Sequence, residues 1–410
     1  MKIKTSIIPL GLIGILYLLI MISCEEAALP INEDGTPLSV DTVSFPVIST
    51  VTYQTPPIMG DTEHLYFGQK DNYEFLYTLL SFDSVAIGGG YPFKYYNDSL
   101  IIADSMKLTL RFVSDSIDNN SQFQLRFFPQ IGDSVFNEYE TNYKNFDPLV
   151  ASKVISEAEM VSDSIDSVNT RVTLNFLIDT TVINVFKDTS IVNFNRSFLI
   201  ELKDNESSEY KFHSSELAGG DAPELKLYYR TLLSDTVVTD TSYRTYRVLE
   251  DLSVIKPPSI IPNDTTYISI GRAKGLKSLV LVDMEGWTLP NRSVIKSAQL
   301  IFKRVQTDTI NGFSVNSYPL TLDGFYSAFT SYDVDPYKVD IPLMVSSSIV
   351  NNILKINHRK VSSEIGRGGR KNYGFKLQSN INNDPFKIIN FYGLLNEDHY
   401  PVMRVIYVRP

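Results

Sequence analysis

Along most of this chain, apolar and polar residues alternate in strand-length segments. Met106, Leu108, Leu110 and Phe112 fall on one side of a pleat and Lys107, Thr109 and Arg111 on the other, the period of two that marks a half-buried strand. Leu225, Leu227 and Tyr229 do the same against Glu224, Lys226 and Tyr228. Asp, Asn, Ser and Gly punctuate these segments and supply turn chemistry. Helical periodicity is scarce. Residues 147–160 are the one stretch that predicts a full helix, and 181–183 and 348–350 each predict a turn or two, capped by Thr or Ser. The pattern therefore predicts facing antiparallel sheets.

The halves of the chain answer each other in order. Leu65-Tyr66-Phe67-Gly68 answers Ile268-Ser269-Ile270-Gly271, and Leu79 to Asp83 answers Leu279 to Asp283. Ile102 to Leu108 answers Val294 to Leu300. Leu174 to Ile178 followed by Thr181-Val182-Ile183 answers Ile341 to Val345 followed by Ser348-Ile349-Val350. Ser197 to Leu202 answers Asn372 to Leu377, and Pro223 to Tyr229 answers Pro401 to Tyr407. A repeat this long is a whole domain rather than a solenoid unit.

The N-terminus differs from everything after it. Lys2 and Lys4 precede an apolar run of 16 residues, Ile7 to Ile22, shorter than the roughly 20 a spanning helix needs and placed where a secretory leader lies. Its end, Ile20-Met21-Ile22-Ser23-Cys24, resembles the lipobox of bacterial lipoproteins, which implies cleavage before Cys24 and acylation of that residue. The other reading is an uncleaved anchor helix with an incidental cysteine. Cleavage takes the net charge from −10 to −12. Several acyl chains hold a protein firmly, at about 0.8 kcal/mol per buried CH₂. Glu25-Glu26 resemble the surface-export signal of Bacteroidota lipoproteins, implying an outer-membrane protein that faces the cell exterior. Residues 25–40 carry no periodicity and read as a tether.

Composition narrows the function. The chain has 410 residues, 43% hydrophobic and 20% charged, enough for packed cores in two or three domains. Its 37 basic against 47 acidic residues argue against nucleic acid as the main partner, since neutralising phosphate needs a basic face. A single cysteine excludes a disulfide scaffold and a cysteine-based zinc site, and four histidines leave little for imidazole sites.

The order of the repeated blocks carries a family resemblance. A strand ending in Gly, a strand with Phe-Asp or Val-Asp, a Ser-Ala-x-Leu-like strand, the Asn372-Tyr373-Gly374-Phe375-x-Leu377 strand and the closing Pro-x-Leu/Met-x-Leu/Val-x-Tyr strand resemble the DNRLRE-type modules. That resemblance implies jelly-roll β-sandwiches of extracellular bacterial proteins, some of them carbohydrate-binding. The expected organisation is all-β: a lipoprotein signal peptide at 1–23, the lipidated Cys24 and tether at 24–40, and two tandem antiparallel β-sandwich domains at 41–232 and 233–410.

Three features are candidates for chemistry. The loop from Gly88 to Asn97 places Tyr91, Tyr95 and Tyr96 beside flexible backbone, where the rings can stack on sugars or simply cover a sandwich end. A basic stretch, Lys355 to Lys371, includes His358, Arg359, Lys360, Arg367 and Arg370 against one acid, Glu364. Its guanidinium forks suit carboxylates or sulfates of an acidic glycan, or the stretch is a solvated hairpin facing anionic lipid. Val-Ser-Asp-Ser-Ile-Asp occurs twice, so that Asp115, Asp118, Asp163 and Asp166 supply hard oxygens for a structural calcium, or merely turns. No other metal or cofactor is expected. Signatures of nucleophilic, metallo- and nucleotide-dependent enzymes are missing from the sequence. The expected function is non-catalytic binding of a polysaccharide or another extracellular ligand. The alternatives are a structural or assembly lipoprotein that binds an envelope protein, and a polysaccharide-degrading enzyme, for which two carboxylates brought together by the fold suffice.

Overall fold

The structure, a computed structural model, describes residues 38–410 except 89–98, 115–120, 128–135, 147–152, 165–169, 188–196, 204–208, 218–220, 235–236, 259–265, 306–309, 311 and 327–330. The described chain opens with β1 (Ser39–Gln54), β2 (His64–Lys70), β3 (Tyr73–Ala86), β4 (Ile101–Ser114), β5 (Gln122–Phe127), β6 (Lys153–Ser164) and β7 (Thr170–Ile178). Helix α1 (Thr180–Lys187), β8 (Ser197–Leu202), β9 (Glu209–His213), β10 (Glu224–Ser234), β11 (Val237–Val238) and β12 (Ser242–Lys256) come next. The second half contributes β13 (Tyr267–Ile270), β14 (Leu276–Val282), β15 (Val294–Lys303), β16 (Ser314–Pro319), β17 (Val345–Ser348), β18 (Ile353–Asn357), α2 (Arg359–Gly366), β19 (Phe375–Ser379), β20 (Ile389–Tyr392) and β21 (Val402–Arg409).

The chain is all-β, as the alternation predicts, and every ladder between named strands is antiparallel. In the first module the pairing runs β7-β4-β10-β12-β3-β8-β5-β6 and returns to β7, so the ring is closed and only short elements are left on edges. The second module repeats the order as β18-β15-β21-β1-β14-β19-β16-β17 and stops there, open between β17 and β18. Each module encloses its own core. Phe67, Leu80, Leu108, Leu125, Phe176 and Phe198 belong to the first, and Ile270, Val280, Leu300, Phe302, Phe375 and Met403 to the second.

Matching the two orders shows that β12 and β1 hold equivalent places. β12 follows β10 and β11 and pairs within their module, whereas β1 pairs with the second module, from whose other strands the whole first module separates it in the sequence. The first half of β1 runs beside β21 (Phe45 opposite Met403) and its second half beside β14 (Val51 opposite Leu279), with a bulge near Val47 where it passes from one sheet to the other. β12 does the same between β10 (Thr245 opposite Lys226) and β3 (Leu252 opposite Leu79). The equivalence extends to side chains. Thr52 Oγ1 lies 2.9 Å from Ser278 Oγ and accepts from Ser269 N at 3.1 Å. In the other module Ser253 Oγ lies 3.1 Å from Thr78 Oγ1 and accepts from Tyr66 N at 2.7 Å. Thr78, Ser253 and Ser278 are buried and Thr52 half-buried, and the hydroxyls satisfy one another, which removes the penalty of carrying them into a core. Sheet membership thus crosses the expected boundary at 232/233: residues 41–54 complete the second sandwich and 242–256 the first. Val, Phe and Tyr on an isolated strand fit either pleated surface equally, so patterning alone does not assign the partner.

Two local expectations are corrected. The helix expected over 147–160 is strand β6 from Lys153 on, with 147–152 outside the described residues; pairing with β5 and β7 on both sides overrides helical propensity. The counterpart of β7-α1 is β18-α2, because β7 borders β4 as β18 borders β15. The expected match at 341–350 instead holds a short 3₁₀ turn (Ile341–Leu343) and the edge strand β17. Both stretches alternate in the same way, so only the pairing separates them.

Candidate functional site

Among the described residues, two cavities lie at the seam between the modules, and a third adjoins them within the second. Gln54 leaves the second module, and Thr55–Glu63 carry the chain to β2 in the first. Two prolines, Pro56 and Pro57, begin this connection, which holds φ near −65° and keeps the preceding residue extended. Thr55 N bonds Gly275 O at 2.9 Å and Gln54 Nε2 bonds Lys274 O at 2.9 Å. Gly275 has φ +68°, and any side chain there would strike the Thr55 carbonyl, so glycine alone lets the strands approach this closely.

Arg272 anchors the same turn. Its guanidinium is nearly buried, pairs with Asp61, and donates to the carbonyls of Ile58 (3.3 Å) and Ile381 (2.9 Å). Burial lowers its pKa to about 10. Beside it a cavity of about 210 Å³ is lined by Pro57, Tyr139, Arg272, Lys277, Gln378 and Ile381. A second, of about 310 Å³, is lined by residues including Glu63, His64, Lys211, Asn382, Asp384 and Phe386, and a third, of about 240 Å³, shares Asn382, Asn383 and Asp384.

One asparagine-rich loop, residues 378–387, borders all three cavities. Its own side chains fix its shape. Asn383 Oδ1 accepts from Ser314 N at 2.9 Å while its Nδ2 donates to Ser314 O at 2.6 Å, Asn380 Oδ1 accepts from Asn382 N, and Asp384 Oδ1 accepts from Phe386 N. Phe386 then projects into the first module, edge-on to Tyr66 (5.0 Å) and Tyr73 (5.2 Å), with Lys70 over its face at 4.9 Å. Such aromatic contacts are worth about 1 kcal/mol each beyond burial. His64, which lines the second cavity, stands 6.1 Å from His213; burial lowers the pKa of both imidazoles, and His213 lowers that of His64 further. The arrangement offers amides, a carboxylate, a cation and exposed Tyr139 (62% exposed) on a rigid frame.

A second polar cluster clamps β1. Asp335 accepts from Tyr53 OH (3.2 Å), Lys277 Nζ (2.7 Å) and Lys376 Nζ (2.5 Å). Burial opposes its ionisation, but Lys277 and Lys376 outweigh that and hold the carboxyl below its ordinary value. Burial and then the nearby Lys277 push Lys376 down to about 8. Tyr332 N bonds Gln54 O at 2.9 Å, so Tyr332 and Asp335 together close over the end of β1.

The residues singled out in the sequence are dispersed. Cys24, Tyr91, Tyr95, Tyr96, Asp115, Asp118 and Asp166 lie outside the described residues, as does the side chain of Asp163. The backbone does bring the two Val-Ser-Asp-Ser-Ile-Asp segments together: Val113-Ser114 and Asp163-Ser164 flank Thr170-Arg171 of β7 from opposite sides. Among the described residues no three His, Cys, Asp or Glu side chains converge as a metal site. The basic stretch divides. Arg359, Lys360 and Arg367 are exposed on and beside α2. Arg370 is engaged inside the fold, 2.8 Å from Asp340 and 3.6 Å from Glu364. His358 is a core residue, stacked on Phe375 at 4.3 Å and hydrogen-bonded to Ser317 Oγ at 2.8 Å. The seam itself escaped the sequence reading. Its signal was present in Pro56-Pro57, repeated as Pro257-Pro258, and in the turn-rich Asn380-Ile381-Asn382-Asn383-Asp384-Pro385.

Comparison of the chain with models of protein families, with curated proteins and with solved structures returned no match.

Proposed function

We propose that this chain is a non-catalytic lipoprotein, anchored in the outer membrane through acylated Cys24 and facing the cell exterior, that binds polysaccharide at the seam between its modules. One observation carries the proposal: a single self-braced stretch, 378–387, borders both seam cavities and a third within the second module, and lines them with Gln378, Ser379, Asn382, Asn383 and Asp384. Amides and carboxylates on a rigid frame suit the vicinal hydroxyls of sugars, and Tyr139 and Lys211 add a ring face and a cation at the rim. Exposed Arg359 and Arg367 lie in the second module and extend the preference toward acidic glycans.

The test is retardation of the purified full chain in gels containing neutral and acidic polysaccharides. Tyr139→Ala and Asn382→Ala, both at exposed positions, are expected to weaken retardation, each costing about 1 kcal/mol or roughly fivefold in Kd. Unaltered mobility across a broad panel overturns the proposal. One feature favours the rival role as an assembly protein: Leu322, Phe325 and Val334, the last beside the clamp residue Asp335, are 56%, 66% and 81% exposed, and large exposed apolar side chains suit a protein partner. A stoichiometric envelope protein co-purifying in mild detergent, and lost with Phe325→Ser, would favour that role.

A further inference from the structure

The strand that completes the second module is separated from the rest of that module in the sequence by the whole of the first, residues 64–256, whereas β12 follows β10 and β11 and pairs back onto β10 within its own module. The β14–β21 slot therefore takes a strand that no short loop joins to it. β1 meets β21 and β14 along nearly its whole length and buries Phe45, Val47, Val51 and Tyr53. An empty slot would leave two unpaired edges and an open core, the condition under which a sheet captures another strand. Pro56-Pro57 directly follow β1, and Pro257-Pro258 directly follow β12. A proline pair keeps the chain extended and opposes a tight return onto the next strand, so it directs each strand away from the module that follows it. Once directed outward, β1 finds the same contacts in the second module of its own chain and in that of another copy. Thr52, Tyr53 and Gln54 carry their hydrogen bonds to Ser278, Asp335 and Lys274 with them in either case.

We propose that the β14–β21 slot is a strand-acceptor site that takes β1 from a second copy of this chain as well as from its own, forming strand-exchanged dimers. Closure within one chain benefits from an effective concentration in the millimolar range, so the monomer dominates in dilute solution and exchange between copies grows with concentration. Crowding on a surface favours the dimer by the same mass action.

The test uses the full chain with Cys24→Ser, which leaves no native thiol. Ser44 and Arg404 are exposed and directly opposite in the β1–β21 ladder, close enough for a disulfide. One copy carries Ser44→Cys and another Arg404→Cys. Unfolded together, refolded and oxidised, they are expected to give a covalent heterodimer. Its ratio to monomer should rise about tenfold for each tenfold rise in protein concentration while dimer is the minor species. The same copies refolded separately and mixed afterwards should not link. The double variant at low concentration should close its link within one chain, which verifies folding and occupancy of the slot. If the double variant closes internally at every concentration and the mixture never yields heterodimer, the proposal fails. It fails also if no combination links, or if Ser44→Cys links to Lys226→Cys in one chain, since that pair meets only when β1 occupies its own module, where Thr245 now faces Lys226.

Discussion

His358 stands among cations in the sequence, at the head of α2, yet the fold buries its ring between Phe375 and Ser317. Burial, and then the charge of Arg370, lower its pKa to about 3 from the ordinary 6.5. Between those values the unfolded chain binds a proton that the folded chain refuses, so stability is full above about pH 6.5 and falls as the pH drops toward 3. His358→Gln is expected to flatten that decline in urea midpoint between pH 6.5 and 4, at a neutral-pH cost of roughly 1–2 kcal/mol from lost packing; an unchanged pH slope would refute the assignment. Asp335 is the opposite case, a carboxylate held ionised by Lys277 and Lys376. Asp335→Ala leaves Lys376, nearly buried, without its partner, and should lower stability by about 2 kcal/mol in equilibrium denaturation. Residue type announced neither role: charge and aromaticity are legible in a sequence, whereas burial and partners are set by elements distant along it.

At the scale of elements, alternation identified strands well where one face is buried and the other wet, as in β4 and β10. It failed at β6, where Glu157 and Ala158 suit a helix but ladders on both sides hold the backbone extended. It also could not choose between β17 and β18 as the counterpart of β7. The turn Gly271–Gly275 shows an element set by a close approach. Gly275→Ala would drive a methyl group into the Thr55 carbonyl in a left-handed backbone, and is expected to destabilise by about 1–3 kcal/mol. Because that contact seats the end of β1, protection of β1 amides in hydrogen exchange should fall more than that of β4 amides. Equal loss in both strands would show that the turn does not act through β1.

For the whole molecule, the placement of β1 makes the modules interdependent. The second module is completed by a strand that runs on into the first, and Phe386 joins their cores at the seam. Calorimetry is expected to give a single cooperative transition, and Leu108→Ala in the first core should lower the melting of both modules together by several degrees. Two separable transitions, only one of them shifted, would refute the coupling. The same architecture puts the start of the described chain, Leu38, in the second module, so tension applied at that end would load the β1–β21 ladder first.

By itself the sequence determined the all-β class, the duplication and the polar turns, because these follow from local periodicity and turn chemistry. Tertiary structure alone decided which module each of β1 and β12 completes, that β6 is a strand, and that two cavities lie at the seam. Those outcomes depend on pairing and burial: β1 meets partners some two hundred residues away, and β6 is held between β5 and β7. Contacts of this kind leave no mark in the pattern of either segment.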